Sequence, residues 1–181
     1  HVVHGTGAPP ATFDVVVSNA DVHQTYAKLY RDVPGARRRQ RRLERMAWSM
    51  SLFVLYFGTN KRYPDLAHHT ILFGPRFKGL LRDIFRGPRL PDDFSLYLHA
   101  PTITDPGMAP EGGESFYVLS PVPHLGNAAI DWDAIAGRYG DAILESLETH
   151  LPGVRQSIVA RRHFTPADFA RKFGAYHGSA F

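Results

Sequence analysis

The stretch 94–126, FSLYLHAPTITDPGMAPEGGESFYVLSPVPHLG, contains two apolar, aromatic-rich runs on either side of a long turn of glycine, proline and acidic residues. In the run 95–100, Ser, Tyr and His alternate with Leu, Leu and Ala, and the run 115–121 repeats the alternation. Because successive side chains of a strand point to opposite faces, this pattern predicts two strands with one apolar and one amphipathic face. The amphipathic face is consistent with a pocket for an apolar ligand or with an ordinary core that holds a few hydrogen-bonded polar groups.

The composition is that of a globular protein, with 181 residues of which 44% are hydrophobic and 21% are charged. No apolar run is long enough to span a bilayer, and the N-terminal run HVVHGTGAPPATFD lacks the apolar segment of a signal peptide. Because the chain has no cysteine, disulfides, thiolate nucleophiles and zinc–thiolate sites are excluded. A cytoplasmic protein is expected.

The net charge of +4 reflects basic residues that are concentrated in short stretches. The run 36–46, ARRRQRRLERM, contains six arginines. Arginines can bind phosphates, but no interleaved aromatic residues and no nucleic-acid-binding motif accompany them. The run therefore favours a solvated helix face, and no nucleic-acid partner is expected.

The N-terminal part predicts a strand followed by a helix. The run 13–20, FDVVVSNA, is typical of a short strand, and Asp21 is a suitable N-cap for a helix that ends before Pro34. Without a glycine-rich turn, this βα unit is only a fragment of a dinucleotide-type sheet.

Further strands are predicted at 48–57, WSMSLFVLYF, and around 70–73. The segment between Gly74-Pro75 and Gly87-Pro88 predicts an amphipathic helix with an apolar stripe and a flank of Arg and Lys. Such a helix either packs on the core with solvated arginines or lies on an anionic membrane surface.

Towards the C-terminus, Asp131 predicts the cap of a helix over 132–150, the run 154–161 predicts a strand, and Thr165-Pro166 predicts the start of another helix. Adjacent His68 and His69 are expected to point to opposite faces of a strand. Since the ten histidines show no ligand spacing, no metal site is predicted.

Several segments together closely resemble the bacterial phytoene desaturases (phytoene dehydrogenases) of carotenoid biosynthesis. They extend from Phe13 to Phe181 and comprise VVSNADVHQTY, SLFVLYFG, LAHHTILFGPRF, DFSLYLHAPTITD, APEG, FYVLSPVPHLG, FTPADF and AYHGSAF. Long contiguous matches make this resemblance far more specific than a lone glycine motif.

The resemblance implies an FAD-dependent enzyme with a Rossmann-type flavin domain and a substrate domain. The expected fold is α+β, with a mixed, largely antiparallel sheet flanked by helices and a short piece of the FAD domain. Residues 1–34 would be that returning piece and residues 35–181 the substrate-binding domain. The family's GxGxxG-type motif and its glycine-rich C-terminal segment are missing from the sequence, so a middle portion truncated at both ends is expected. By itself this portion is expected to be inactive and prone to self-association.

The chemistry implied by the resemblance is hydride transfer from phytoene to the flavin, while the protein holds the polyene in an apolar channel and removes or relays a proton. The candidate channel walls are Phe53, Leu55, Phe57, Tyr97, His99, Phe116 and Leu119. Asp105 is the candidate acid–base or cation-stabilising group, with Tyr97 and His99 ranked second. The alternative role of Asp105 is to open a turn at Pro106.

Because phytoene must be collected from a bilayer, the resemblance also implies peripheral association with the inner face of the cell membrane. The candidate membrane contacts are Phe77, Leu81, Phe85, Arg82 and Arg86. Two other functions stay open: a related carotenoid oxidoreductase, such as a later-step desaturase, a ketolase-like oxygenase or an isomerase, and a non-catalytic lipid or carotenoid carrier.

Overall fold

The structure is a computed structural model that describes Pro9 and residues 11–181. The chain divides into two compact units, His1–Met46 and Ala47–Phe181. The arginine-rich run therefore groups with the first unit, whereas the sequence prediction placed it in the second domain. The assignment of flavin and substrate roles to the two parts stays a prediction.

The described part of the first unit contains two helices and a π-helical turn. Helix α1, Val22–Gln24, continues directly into a π-helical turn, Thr25–Leu29, and α2 spans Ala36–Leu43. The Asp21 carboxylate accepts a hydrogen bond from the backbone nitrogen of Gln24 at 3.0 Å, which confirms the predicted cap.

The strand predicted at 13–20 is wrong, because these residues form no ladder in the described chain. Their valines have the β propensity that suggested a strand, but Val15 and Val17 are largely exposed. A strand needs a neighbouring strand for its backbone N–H and C=O groups, and residues 13–20 are not paired in the sheet that the structure describes.

The second unit is built on a five-stranded sheet in the order β2-β3-β4-β1-β5, with every pairing antiparallel. The strands are β1 Ser51–Thr59, β2 His69–Leu72, β3 Leu96–His99, β4 Glu114–Val122 and β5 Ile158–Phe164. The helices are α3 Phe77–Arg86, α4 Trp132–Leu147, the single turn α5 Val154–Ser157, and α6 Pro166–Phe173. Short 3₁₀ turns lie at Pro101–Ile103, Pro106–Met108 and Tyr176–Gly178. The predicted α+β class is confirmed.

The two runs of the stretch 94–126 form the neighbouring strands β3 and β4, with Leu98 opposite Val118 and His99 opposite Tyr117. The predicted alternation is confirmed: Leu96, Leu98 and Ala100 are buried, whereas Tyr97 and His99 are partly exposed. Strand β1 pairs along the other side of β4, so these three strands form the centre of the sheet.

Helix α4 covers one face of the sheet and forms the core with it. Its first residue, Trp132, stacks on Phe53 with ring centroids 5.7 Å apart, and Tyr139 meets the same ring edge-on at 4.9 Å. The predicted cap is present, since the Asp131 carboxylate accepts from the backbone nitrogen of Ala134 at 3.1 Å. Burial of aromatic rings against a sheet is the main source of stability in such a layer.

The strand predicted from residue 154 begins four residues later. The Glu148 carboxylate accepts hydrogen bonds from the backbone nitrogens of Gly153 and Arg155, at 2.8 and 3.0 Å. These bonds hold α5 as a helical turn, because a carboxylate satisfies the free N–H groups at a helix start. Helix α6 has the predicted capping box between Thr165 and Asp168.

Candidate functional site

The face of the sheet away from α4 is only partly covered. At one end Leu52 and Val54 are buried, and Phe164, which lies opposite Val54, packs against Phe169 of α6 with ring centroids 4.8 Å apart. The remainder, called the open face below, carries Tyr56, His69, Ile71, Tyr97, His99, Tyr117 and Leu119, with Arg162 opposite Tyr56 at the β5 edge.

Three tyrosines form the centre of the open face. Tyr117 lies between Tyr56 and Tyr97, with ring centroids 6.1 and 5.9 Å away. Burial, together with the neighbouring Tyr97, raises the pKa of Tyr117 to about 12. The phenol of Tyr117 is therefore neutral under ordinary conditions, and its ring adds aromatic surface suited to an apolar ligand.

A cluster of three histidines lies at one edge of the open face. His68, His69 and His99 each place one ring nitrogen within 4.8 Å of the others. His69 lies opposite His99 in the β2–β3 ladder, and Nε2 of His68 is 2.5 Å from Nε2 of His99. Burial, followed by the proximity of His68 and His69, lowers the pKa of His99. The neutral form of His99 is therefore favoured.

Helix α3 has an apolar stripe that the described second unit covers only in part. Leu80 and Ile84 are buried, but the stripe Phe77, Leu81 and Phe85 is 40–47% exposed. Arg82 and Arg86 are exposed beside this stripe. Among the described residues, no helix has the length and apolarity that crossing a bilayer requires.

Comparisons with known proteins found curated relatives along almost the whole chain, although no family model matches. The chain is 53% identical over 171 residues to a lycopene-forming phytoene desaturase of Paracoccus sp., covering 94% of this chain and 34% of that protein. It is 54% identical over 169 residues to a lycopene-forming phytoene desaturase of Pseudescherichia vulneris, covering 93% of this chain and 34% of that protein. The chain is homologous to the bacterial phytoene desaturases.

A neurosporene-forming phytoene desaturase of Cereibacter sphaeroides is 46% identical over 171 residues, which are 92% of this chain and 33% of that protein. The chain thus spans about a third of the length of these curated relatives. The resemblance stated from the sequence motifs is confirmed.

The predicted channel-wall residues of this phytoene desaturase homologue lie on opposite faces of the sheet. Tyr97, His99 and Leu119 belong to the open face. The other four are at most 4% exposed in the core beneath α4; they are Phe53, Leu55, Phe57 and Phe116. The sheet therefore separates the two sets, and only the first has side chains that a ligand can reach. A role for these residues in substrate binding stays a prediction.

The predicted acid, Asp105, is exposed and caps a turn. Its carboxylate accepts from the backbone nitrogen of Gly107 at 3.0 Å, at the start of the 3₁₀ turn Pro106–Met108. Its neighbour Thr104 hydrogen-bonds through its hydroxyl to Nδ1 of His68. The structural role weighed from the sequence is therefore present, the segment adjoins the histidine cluster, and the chemical role stays a prediction.

Sequence reasoning missed Tyr56, Tyr117 and the histidine cluster. The expectation that His68 and His69 point to opposite faces of one strand is wrong, because β2 begins at His69 and His68 precedes the strand. Strict alternation does not apply to a residue outside the strand. The adjacent histidines 68 and 69 and the segment His99-Ala100-Pro101 can be read in the sequence. Only the register of β2 on β3 shows that they lie together.

Proposed function

We propose that this chain is the substrate-binding part of an FAD-dependent phytoene desaturase, which introduces conjugated double bonds into phytoene by hydride transfer to flavin. The observation that carries the proposal is the 53% identity to a lycopene-forming desaturase over 94% of the chain. The substrates and partners would be phytoene and its carotenoid intermediates.

The open face supports a role in holding the polyene. Tyr56 on β1, Tyr117 on β4 and Tyr97 on β3 form a row of rings. Leu119 lies opposite Tyr97 in the β3–β4 ladder. A conjugated hydrocarbon has no polar group to bind, so recognition depends on aromatic and aliphatic contact and on exclusion of water. The phenol of Tyr117 is neutral, so the centre of this row carries no charge at that ring.

The family implies a flavin cofactor in the intact enzyme, where it would serve as the hydride acceptor. The described residues do not fit the pyrophosphate of FAD, because the extended run before α1 leads into the Asp21 cap without a glycine-rich turn.

A chimera tests the proposed function. The matching 171 residues of the Paracoccus enzyme are replaced by this chain, and the purified chimera is mixed with FAD and phytoene-loaded liposomes. The expected result is growth of structured polyene bands in the visible spectrum, with successive red shifts that count the desaturation steps.

A chimera that binds flavin and lipid without forming coloured product contradicts the desaturase proposal and favours a related carotenoid oxidoreductase. Lipid binding by the chain without any flavin-dependent activity in the chimera favours the carrier.

Asp105→Asn in the same chimera tests the proposed acid–base role. The amide oxygen of Asn can still accept from Gly107, so the turn is preserved while the carboxylate is removed. If Asp105 transfers a proton, turnover falls by roughly 10²- to 10⁴-fold with flavin content unchanged. Near-normal turnover would show that Asp105 only caps the turn.

Peripheral membrane association is also part of the proposal, with the enzyme on the inner face of the cell membrane. The exposed stripe Phe77, Leu81 and Phe85 would enter the interface while Arg82 and Arg86 meet anionic headgroups. The double variant Phe77→Asp plus Phe85→Asp is expected to abolish co-sedimentation with anionic liposomes.

The matched control is Met108→Asp plus Val159→Asp, which adds the same charge at exposed apolar residues elsewhere in the second unit. If both double variants reduce co-sedimentation equally, the loss is an effect of added charge alone, and docking through α3 is contradicted.

A further inference from the structure

The three clustered histidines have the composition of a transition-metal site. One ring nitrogen from each of His68, His69 and His99 lies within 4.8 Å of the other two. Imidazole nitrogen suits zinc, copper, nickel and iron, whereas calcium and magnesium require oxygen ligands. We propose that His68, His69 and His99 bind a divalent transition-metal ion, with Zn²⁺ as the type case.

The distances allow coordination after small side-chain rotations. Zn–N bonds of about 2.0–2.1 Å with tetrahedral angles place neighbouring ligand nitrogens about 3.3 Å apart. In the structure, Nε2 of His68 and Nε2 of His99 are 2.5 Å apart, and no pair of candidate ligand atoms exceeds 4.8 Å. The two Nε2 atoms must therefore move apart to coordinate one ion, and the third ring lies close enough to join them after a rotation.

Two outer nitrogens of the cluster are held by hydroxyl groups. Nδ1 of His68 hydrogen-bonds to the Thr104 hydroxyl, and Nδ1 of His69 hydrogen-bonds to the Tyr97 hydroxyl at 2.7 Å. In metal sites, a bond to the outer nitrogen fixes the tautomer and orients the other nitrogen towards the ion. The cluster thus has the supporting contacts of a metal site as well as its ligands.

His99 and His69 contribute the remaining features of such a site. Nδ1 of His99 is buried and has no hydrogen-bond partner in the described part of the chain, whereas His69 is exposed and gives an ion access from solvent. Coordination through Nε2, the His99 nitrogen that faces His68, does not involve this Nδ1, so the solvent access at His69 is the feature that favours an ion.

Three protein ligands leave a fourth position open for water or another small ligand. Because His68 precedes β2 while His99 ends β3, an ion would also join the edge strand to the turn that holds Thr104. This site does not depend on the proposed desaturase activity, since binding is tested on the chain alone.

The experiment is titration of the tag-free full chain with Co²⁺, whose intense visible absorption reports tetrahedral coordination. One tetrahedral Co²⁺ per chain, displaced by Zn²⁺, is expected. His68→Gln and His99→Gln should each weaken binding by at least about tenfold, and His150→Gln, at an exposed position after α4, should leave it unchanged.

Tyr97→Phe provides a test that keeps all three ligands. It removes only the hydroxyl bound to Nδ1 of His69, so a roughly tenfold loss of Co²⁺ affinity is expected with an unchanged circular dichroism spectrum. Absence of tetrahedral one-to-one binding would overturn the proposal. Equal losses of Co²⁺ affinity in His99→Gln and His150→Gln would also overturn it, as would an unaltered Co²⁺ affinity in Tyr97→Phe.

Discussion

Glu114, the first residue of β4, is a carboxyl group held out of water. Its Oε2 accepts from the backbone nitrogen of Tyr63 at 2.8 Å, and its Oε1 is 4.0 Å from Nε of Arg62. Burial raises the pKa of Glu114, and the bond from Tyr63 and the charge of Arg62 only partly oppose this. The carboxyl therefore serves mainly as an acceptor that closes the turn after β1.

The raised pKa predicts a pH dependence of stability. A carboxyl whose pKa is raised by folding stabilises the folded state below its unfolded pKa, and this contribution is lost as pH rises through the folded pKa. Glu114→Gln keeps the acceptor for Tyr63 but does not titrate, so the free energy of unfolding of the variant should decline less between about pH 5 and about pH 7. Urea unfolding of the wild-type chain and of Glu114→Gln at both pH values measures the decline of each. If the substitution lowers the free energy of unfolding by the same amount at both pH values, the prediction is contradicted.

Gly178 occupies a position that only glycine fits. Its φ is +65°, and an added Cβ would lie 2.3 Å from the carbonyl oxygen of Pro166. Its own carbonyl accepts a hydrogen bond from the Ser51 hydroxyl, so this residue joins the C-terminal turn to β1.

Gly178→Ala is expected to cost clearly more than Gly112→Ala, which serves as its control. Gly112 also has a positive φ, of +76°, but nothing lies within 4 Å of its added Cβ. Backbone strain alone costs about 1–2 kcal/mol, and the clash at Gly178 adds to it. Urea unfolding compares the two, and equal losses would show that Pro166 moves away without cost.

At the scale of single elements, β1 presents two different surfaces. Phe53 is fully buried between Trp132 and Tyr139 of α4, whereas Tyr56 is 45% exposed on the open face. Phe53→Ala should lower the free energy of unfolding by about 3–5 kcal/mol, because it leaves a cavity in the core. Tyr56→Ala should cost about 1 kcal/mol or less.

Denaturant titration measures the free energy of unfolding of both variants. It distinguishes aromatic residues that support the core from those that are exposed on the open face. A small loss for Phe53→Ala would mean that this ring does not support the core, and would return it to the candidates for the channel wall.

Much of the second unit follows from local sequence. The alternation around Tyr97 and Tyr117 predicted β3 and β4, and Asp131 and Thr165 marked two helix starts. These features depend on neighbours in the chain, since strand periodicity and capping bonds involve residues a few positions apart.

The sequence predictions that were wrong concern contacts between residues that are far apart in the chain. Phe53 and Tyr97 are both aromatic residues of strands, but their faces are fixed by the register of β1 on β4 and of β3 on β4. The run 13–20 has strand propensity but no partner strand in the described chain. The histidine cluster exists only because β2 pairs with β3 from His69 onwards. Register and partner choice are set by tertiary packing, which local periodicity does not contain.

At the scale of the whole molecule, an apolar strip connects the two surfaces proposed to act in function. It consists of Ile71, Phe73, Phe77, Leu81 and Phe85, all exposed. Ile71 lies opposite Tyr97 in the β2–β3 ladder, and Phe73 meets Phe77 edge-on with ring centroids 5.4 Å apart. The strip therefore runs from the open face to the stripe on α3, and it offers a hydrocarbon apolar contact along its length.

Ile71→Asp tests this path within the Paracoccus chimera. Ile71 is 60% exposed, so the fold should be retained, while a carboxylate in mid-path opposes passage of an apolar chain. The expected result is slower polyene formation from phytoene-loaded liposomes, with liposome co-sedimentation unchanged and a smaller effect when phytoene is supplied in detergent. Ile71→Val, which stays apolar, is the control. Equal inhibition with both substrate sources would place the defect at the open face itself and contradict a transfer path along the strip.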